Sequence, residues 1–222
     1  MEQARTTSSF ADLTVAQFVE KLSSSEPVPG GGAASALAAA LGASLISMVA
    51  GLSEGRPKYA AYAATLARCT ETGHALSAEF LRLADLDADA YAGYSLALKM
   101  PRDTEERQVV RKEAIQTAAR AAAEAPWECV QACAKLVEAA LALAGRSNVN
   151  AASDVLVAAL LAEAAARGAA ENVLINLPSV GDEEYAQTMR YQVDSGLHEI
   201  ADAAARVREI VLSGQTQEPE AE

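Results

Sequence analysis

Aromatic residues make up only 5% of this 222-residue chain, histidine occurs twice, cysteine three times, and basic side chains are outnumbered. Each shortage excludes something. Eighteen Lys and Arg against 30 Asp and Glu leave a net charge of −12 and a pI near 4.7. That balance is opposite to the basic stripe of a nucleic-acid binder and wrong for docking on anionic lipid. Cys69, Cys129 and Cys133 form no disulfide framework and suit a reducing compartment. With His74 and His198 as the only histidines, Cys129 and Cys133 fall short of a zinc ligand set and read as core residues. No metal site is expected. Residues 1–10 lack the basic-then-apolar pattern of a secretory signal, so a cytoplasmic location is expected. Neither alternating strand patterns, internal repeats, nor a Ser-His-Asp arrangement occurs.

What remains is alanine, in a composition that is 51% hydrophobic. Alanine has the best helix propensity and lets helices approach closely. The expected class is all-α, a bundle of about six long helices. Apolar spacing and breakers predict helices over 12–23, 33–52, 58–98, 104–124, 126–145, 148–168 and 182–212, with 172–177 ambiguous. Pro126 is expected to start or kink a helix, and Gly168 to stop one. The apolar run 33–50 is interrupted by Ser35, Gly42, Ser44 and Ser47, so it reads as a core helix and no membrane span is expected. Residues 1–9 read as a flexible tail, 10–213 as one helical domain, and 214–222 as a disordered acidic tail.

Several residues stand out chemically. Gly30, Gly31 and Gly32 precede a helix whose free N–H groups suit an anion; they also suit a plain tight loop, and no Lys-Ser/Thr follows as in a nucleotide loop. Asp87 falls inside the apolar stripe of its helix beside Tyr91 and Tyr94, while Asp85 and Asp89 fall on the polar side. An ionised carboxylate is costly to bury alone. Asp87 is therefore either paired in the core or faces a cleft with a raised pKa, as acid–base work requires. Asn148, Asn150, Ser153 and Asp154 crowd a helix start, where capping accounts for them; Asp154 also shares a face with apolar neighbours. Asn172 and Asn176, four apart, either bind a polar ligand or satisfy backbone.

Three segments in this order resemble the cyclodeaminase/cyclohydrolase family, which includes the C-terminal half of formiminotransferase-cyclodeaminase and stand-alone methenyltetrahydrofolate cyclohydrolases. The first is Pro27-Val28-Pro29-Gly30-Gly31-Gly32-Ala33-Ala34-Ser35-Ala36-Leu37, followed by Met48-Val49-Ala50 and Lys58-Tyr59. The second is Asp85-Leu86-Asp87-Ala88-Asp89-Ala90-Tyr91, with Lys99-Met100-Pro101 after it. The third is Asn148-Val149-Asn150-Ala151-Ala152-Ser153-Asp154, with residues 168–177 beyond. The stretch 53–57 departs from the pattern, and nothing after Val180 carries it. The resemblance implies a helical homodimer with a folate cleft lined by Gly30, Gly31, Gly32 and the Asp87 region. It implies an enzyme needing no cofactor beyond its tetrahydrofolate substrate, with Asp87 and Asp154 as catalytic acids. Ser35, Lys58, Tyr59, Lys99, Asn148, Asn150, Ser153, Asn172 and Asn176 would bind substrate, a lysine taking the glutamate tail and the asparagines the pterin edge. The competing reading is a helical interaction protein that does no chemistry.

Overall fold

The computed structural model describes residues 9–219. Six α-helices follow in order: α1 (Val15–Leu22), α2 (Gly31–Gly51), α3 (Ala63–Leu98), α4 (Glu105–Leu143), α5 (Ala152–Asn176) and α6 (Glu183–Ser213). Short 3₁₀ turns stand at Phe10–Asp12, Pro57–Tyr62, Val149–Ala151 and Leu177–Ser179, and there is no strand among the described residues. Local signals set several boundaries. Thr14 and Gln17 form a reciprocal cap on α1. Thr104 and Asp182 accept the N–H groups of Arg107 and Tyr185 at the starts of α4 and α6. Gly214 takes the left-handed conformation that ends α6.

Helices α2, α3, α4 and α5 pack on one another, and α6 closes against α4 and α5. Phe80, Ile46, Leu66, Leu136 and Leu143 are fully buried, each contributing roughly 1.5–3 kcal/mol of apolar transfer. Most of the core is alanine, so axes lie close and backbone meets backbone. Gly73 is the clearest case. A Cβ there would stand 2.3 Å from Ser47 Oγ and 2.7 Å from the Ala43 carbonyl oxygen, so its missing side chain is what lets α3 lie on α2.

Two expected breaks are absent. Helix α4 runs through Pro126 without interruption. The ring removes the N–H that would bond the Ala122 carbonyl, and Asn176 Nδ2 donates to that oxygen instead at 2.9 Å. Helix α5 runs through Gly168, where a Cβ would collide with Ser35 Oγ at 2.3 Å. That glycine is a packing notch, not a stop; of the ambiguous 172–177 stretch, 172–176 end α5 and Leu177 opens the 3₁₀ turn that follows.

The polar composition of the C-terminal segment hides specific contacts. Gln217 N donates to the Gly145 carbonyl at 3.1 Å, Tyr62 Oη to the Gln217 carbonyl at 2.8 Å, and Arg146 Nε to the Glu218 carbonyl at 2.6 Å. Residues 1–8 and 220–222 of the expected tails lie outside the described residues. Ser9, assigned to the first tail, donates to Asp85 Oδ2 at 2.5 Å, and Phe10 N to Asp85 Oδ1 at 2.8 Å. Asp85 is therefore an anchor for the incoming chain and not a solvated surface acid.

By length and composition, α2 and the stretch Val149–Ser179 are apolar enough to cross a membrane. Their most apolar windows are 61% and 39% buried inside this chain.

The two glycines of α3 should respond oppositely to alanine. Gly73→Ala is expected to destabilise by about 1–3 kcal/mol through overpacking, despite better helix propensity. Gly93, with nothing within 4 Å of a built Cβ, is expected to gain up to about 1 kcal/mol as Ala. Urea denaturation of both variants measures this.

Candidate functional site

The start of α2 is where chemistry-bearing residues converge. Gly30 caps the helix in an extended conformation, and the first turn offers N–H groups that no preceding carbonyl can satisfy. Asp87 reaches across from α3 to accept the Ala33 N–H. It can do so because Gly32 has no side chain: a Cβ there would fall 2.3–2.5 Å from both carboxylate oxygens. Helix α5 closes the other side. Asn172 Nδ2 lies 3.4 Å from where a Cβ of Gly31 would stand and donates to the Gly168 carbonyl at 2.8 Å. Ser35 Oγ donates to the Gly31 carbonyl at 2.8 Å. Two turns beyond Asp87, Tyr94 Oη donates to Ser179 Oγ at 3.0 Å.

Burial pushes the Asp87 carboxyl above the usual carboxylate range, and the Ala33 hydrogen bond pulls partway back. A largely desolvated carboxylate with a raised pKa, at the start of a helix, is suited to acid–base work. Both readings of this residue meet here: Asp87 caps α2, and it lines the start of that helix.

Other residues expected at the site are elsewhere. Tyr59 is buried and its hydroxyl accepts the Val149 N–H at 3.3 Å. Asn148 is buried, its N–H bonds Ser53 Oγ at 2.8 Å, and its side chain accepts from Asn150 N at 3.1 Å. These contacts, together with the fully buried Ser53, join the end of α2 to the start of α5. Lys58 is exposed with Nζ 5.4 Å from the Tyr59 ring centre. Asn150 and Ser153 are exposed, and Asp154 is half-buried in the first turn of α5. All of this group lies at the Gly51 end of α2, about 30 Å from Asp87 by the 1.5 Å rise of a 21-residue helix. Asp87 and Asp154 of one chain therefore cannot act on the same atom. Lys99, at the end of α3, is exposed and about 18 Å along that helix from Asp87.

Asn176 has a structural task, since its amide serves the carbonyl freed by Pro126 and also the Asn172 carbonyl at 2.7 Å. Sequence reasoning passed over Ser179, which carries no local signal, and named Gly168 as a breaker and as part of a shared segment but not as a neighbour of Ser35. A hollow of about 480 Å³ lies in the α2–α3 groove beside Ser44, Met48, His74 and Leu81. Another of about 270 Å³ is lined by Lys58, Tyr59, Tyr62 and residues 214–216. Neither includes Asp87. Cys69, Cys129 and Cys133 are all buried thiols.

The raised pKa of Asp87 makes stability depend on pH. In the unfolded chain this carboxyl titrates near pH 4. The group favours the native state below that pH, and the benefit disappears as pH climbs through the raised native value. An asparagine stays neutral and can still accept the Ala33 N–H. Asp87→Asn is thus expected to be more stable than the parent at pH 7, with the gain shrinking toward pH 4. Denaturation midpoints from pH 4 to 8 check it; a pH-independent difference would refute the assignment. Gly32→Ala is expected to lose about 1–3 kcal/mol by overpacking, most of it recovered when Asp87 is also shortened to Ala.

The chain is similar to known proteins in sequence and in fold. The family model described as formiminotransferase-cyclodeaminase matches residues 14–195. A methenyltetrahydrofolate cyclohydrolase of Methylorubrum extorquens is 33% identical over 90% of this chain and 96% of its own length. The formimidoyltransferase-cyclodeaminase of Sus scrofa is 37% identical over 86% of this chain, which spans only 35% of that longer protein. The crystal structure of a formiminotetrahydrofolate cyclodeaminase from Thermotoga maritima superimposes with a TM-score of 0.83 at 26% identity, covering 91% of this chain and 98% of the other. On sequence and fold together, the chain belongs to the formiminotransferase-cyclodeaminase family.

Proposed function

We propose that the protein is a tetrahydrofolate one-carbon enzyme acting at the carbon between N5 and N10, first of all a methenyltetrahydrofolate cyclohydrolase. The observation that carries this reading is Asp87, an acid of raised pKa held over Gly32 at the helix start. The end-to-end likeness to the Methylorubrum cyclohydrolase supports the choice of reaction.

The methenyl bridge is an amidinium-like cation. A carboxylate beside it stabilises the charge and accepts a proton from water as the oxygen attacks the bridging carbon. Asp87, now protonated, returns that proton to N5 as the C–N5 bond breaks. The hydroxyl proton leaves to solvent, and 10-formyltetrahydrofolate is the product. Asn172 and the N–H groups after Gly30 and Gly31 offer hydrogen bonds to the pterin edge, and Lys99, about 18 Å along α3 from Asp87, a cation for the glutamate tail. No metal or further cofactor enters these steps. The enzyme would work as a cytoplasmic homodimer, apart from membranes and nucleic acid, a reading that its acidic surface and buried thiols favour.

The Thermotoga likeness favours one second reading, a lyase acting on 5-formiminotetrahydrofolate. There N10 attacks the carbon of the formimino amidinium, Asp87 takes the N10 proton and hands it to the departing nitrogen, and ammonia leaves as the C–N bond breaks and the methenyl cation forms.

Loss of methenyltetrahydrofolate absorbance with pure protein tests the first reading. Turnover is expected, with kcat reduced about a hundredfold or more in Asp87→Asn. Ammonia released from the formimino substrate, without methenyl hydrolysis, would establish the second. A variant as fast as the parent would remove Asp87 from the mechanism.

A further inference from the structure

The junction between α3 and α4 reverses the charge of the chain. Residues 99–112 carry five basic side chains against three acidic ones, in a protein whose net charge is −12. Arg107 is paired with Asp103 at 2.8 Å. Arg111 is held in another way. It is half-buried on α4, and its Nη2 donates to the Leu98 carbonyl at 2.9 Å, where the end of α3 carries partial negative charge.

The Nε of Arg111 is shut off from solvent and meets no acceptor among the described residues. Arginine stays charged and presents its N–H groups as a planar fork that matches a carboxylate. Leaving a buried donor unpaired costs more than an ordinary hydrogen bond contributes when made, and the cost is higher for a charged group. The Leu98 bond accounts for where the guanidinium sits. It leaves the Nε edge without a task, and an anion is the partner that edge is built to take.

Helix α3 connects this edge to Asp87. Leu98 follows Asp87 by about three turns, so the two stand on one face of the helix, about 17 Å apart along it. Tyr91 and Tyr94 fall on the turns between them, on that same face. Tyr94 is tied to Ser179, and Tyr91 is 43% exposed. The face therefore runs from acid through two phenol rings to cation. Methenyltetrahydrofolate runs in the matching order, from cationic bridge through aminobenzoyl ring to glutamate. The arm from the bridging carbon to the glutamate carboxylates reaches about 12 Å, as three to four extended residues do. A hydrogen-bonded contact of about 3 Å at either end completes the span.

Resting on the folate reading above, we propose that Arg111 holds the glutamate of the substrate through its Nε edge, with Tyr91 and Tyr94 flanking the aminobenzoyl ring. Lys99, next to Leu98, adds charge at that end without the fork. Arg111 then selects substrates that carry the amino acid, and it sets how far along α3 the bridging carbon lies from Asp87.

Steady-state kinetics on paired substrates tests this. Methenyltetrahydrofolate is compared with methenyltetrahydropteroate, which keeps the reacting bridge and the ring but lacks the glutamate; if the activity found is ammonia release, the corresponding formimino pair replaces them. The parent is expected to show a KM about tenfold or more higher for the pteroate. Arg111→Met should raise KM for the folate about tenfold or more, with the loss concentrated in KM and not in kcat. Its penalty on the pteroate should shrink to less than about threefold, because the group it served is gone. Arg111→Lys, a cation without the fork, should fall between parent and Arg111→Met on the folate. A misfolded fraction lowers apparent kcat for both substrates and leaves KM alone, so folding and binding are read separately. Equal rises in KM for the two substrates would make Arg111 a tie between α3 and α4, and an unchanged folate KM would remove it from the site; either overturns the proposal. A parent that turns over neither the methenyl nor the formimino substrate rejects the folate reading and this assignment with it, whereas an active parent with either of those patterns rejects the assignment alone.

Discussion

Helix α2 approaches its neighbours closely because side chains are missing where the axes meet. Gly73 admits the Ala43 carbonyl and Ser47, Gly168 admits Ser35, and Gly42 sits 3.2 Å, as a built Cβ, from the Ala158 carbonyl. Alanine fills most other contact positions. With such thin interfaces the core gains little from large apolar groups and much from area of close contact. Everything functional depends on that closeness. Asp87 meets the Ala33 N–H only across an axis separation that Gly32 permits.

The fold was largely legible from composition and spacing. Alanine-rich runs without β-branched alternation left helices as the natural outcome, and Thr104, Asp182 and the break at 27–32 gave usable boundaries. Pro126 as a helix start and Gly168 as a helix stop were misread because both were judged by local rules. A proline is compatible with a helix when another chain segment serves the carbonyl it releases, and Asn176 lies 50 residues away in sequence. A glycine ends a helix when its backbone turns left-handed, but Gly168 stays helical and makes room for Ser35. Neither compensation has a local signature.

The site was legible in part. Asp87 was marked by its polar side chain within an apolar stripe, and the structure gives that oddity a cause, since the stripe faces the start of α2. Tyr59 and Asn148 were marked only by their place in shared segments, and they prove to be joints between elements. Lys58, Asn150, Ser153 and Asp154 share a sequence neighbourhood with those joints and lie at the far end of α2 from Asp87. Linear order along an antiparallel bundle brings residues to one end or the other, but it does not say which end binds.

The bond from Asn176 to the Ala122 carbonyl imposes an order on sequence drift. While Pro126 is present, losing the amide of Asn176 strands a buried carbonyl, a change that costs about 1–3 kcal/mol. If Pro126 is replaced first, the new residue brings an N–H that can take that carbonyl, and Asn176 is released to vary. The pair can therefore be dismantled along one path and is guarded along the other, so descendants that retain the proline should retain the asparagine, while the converse carries no such obligation.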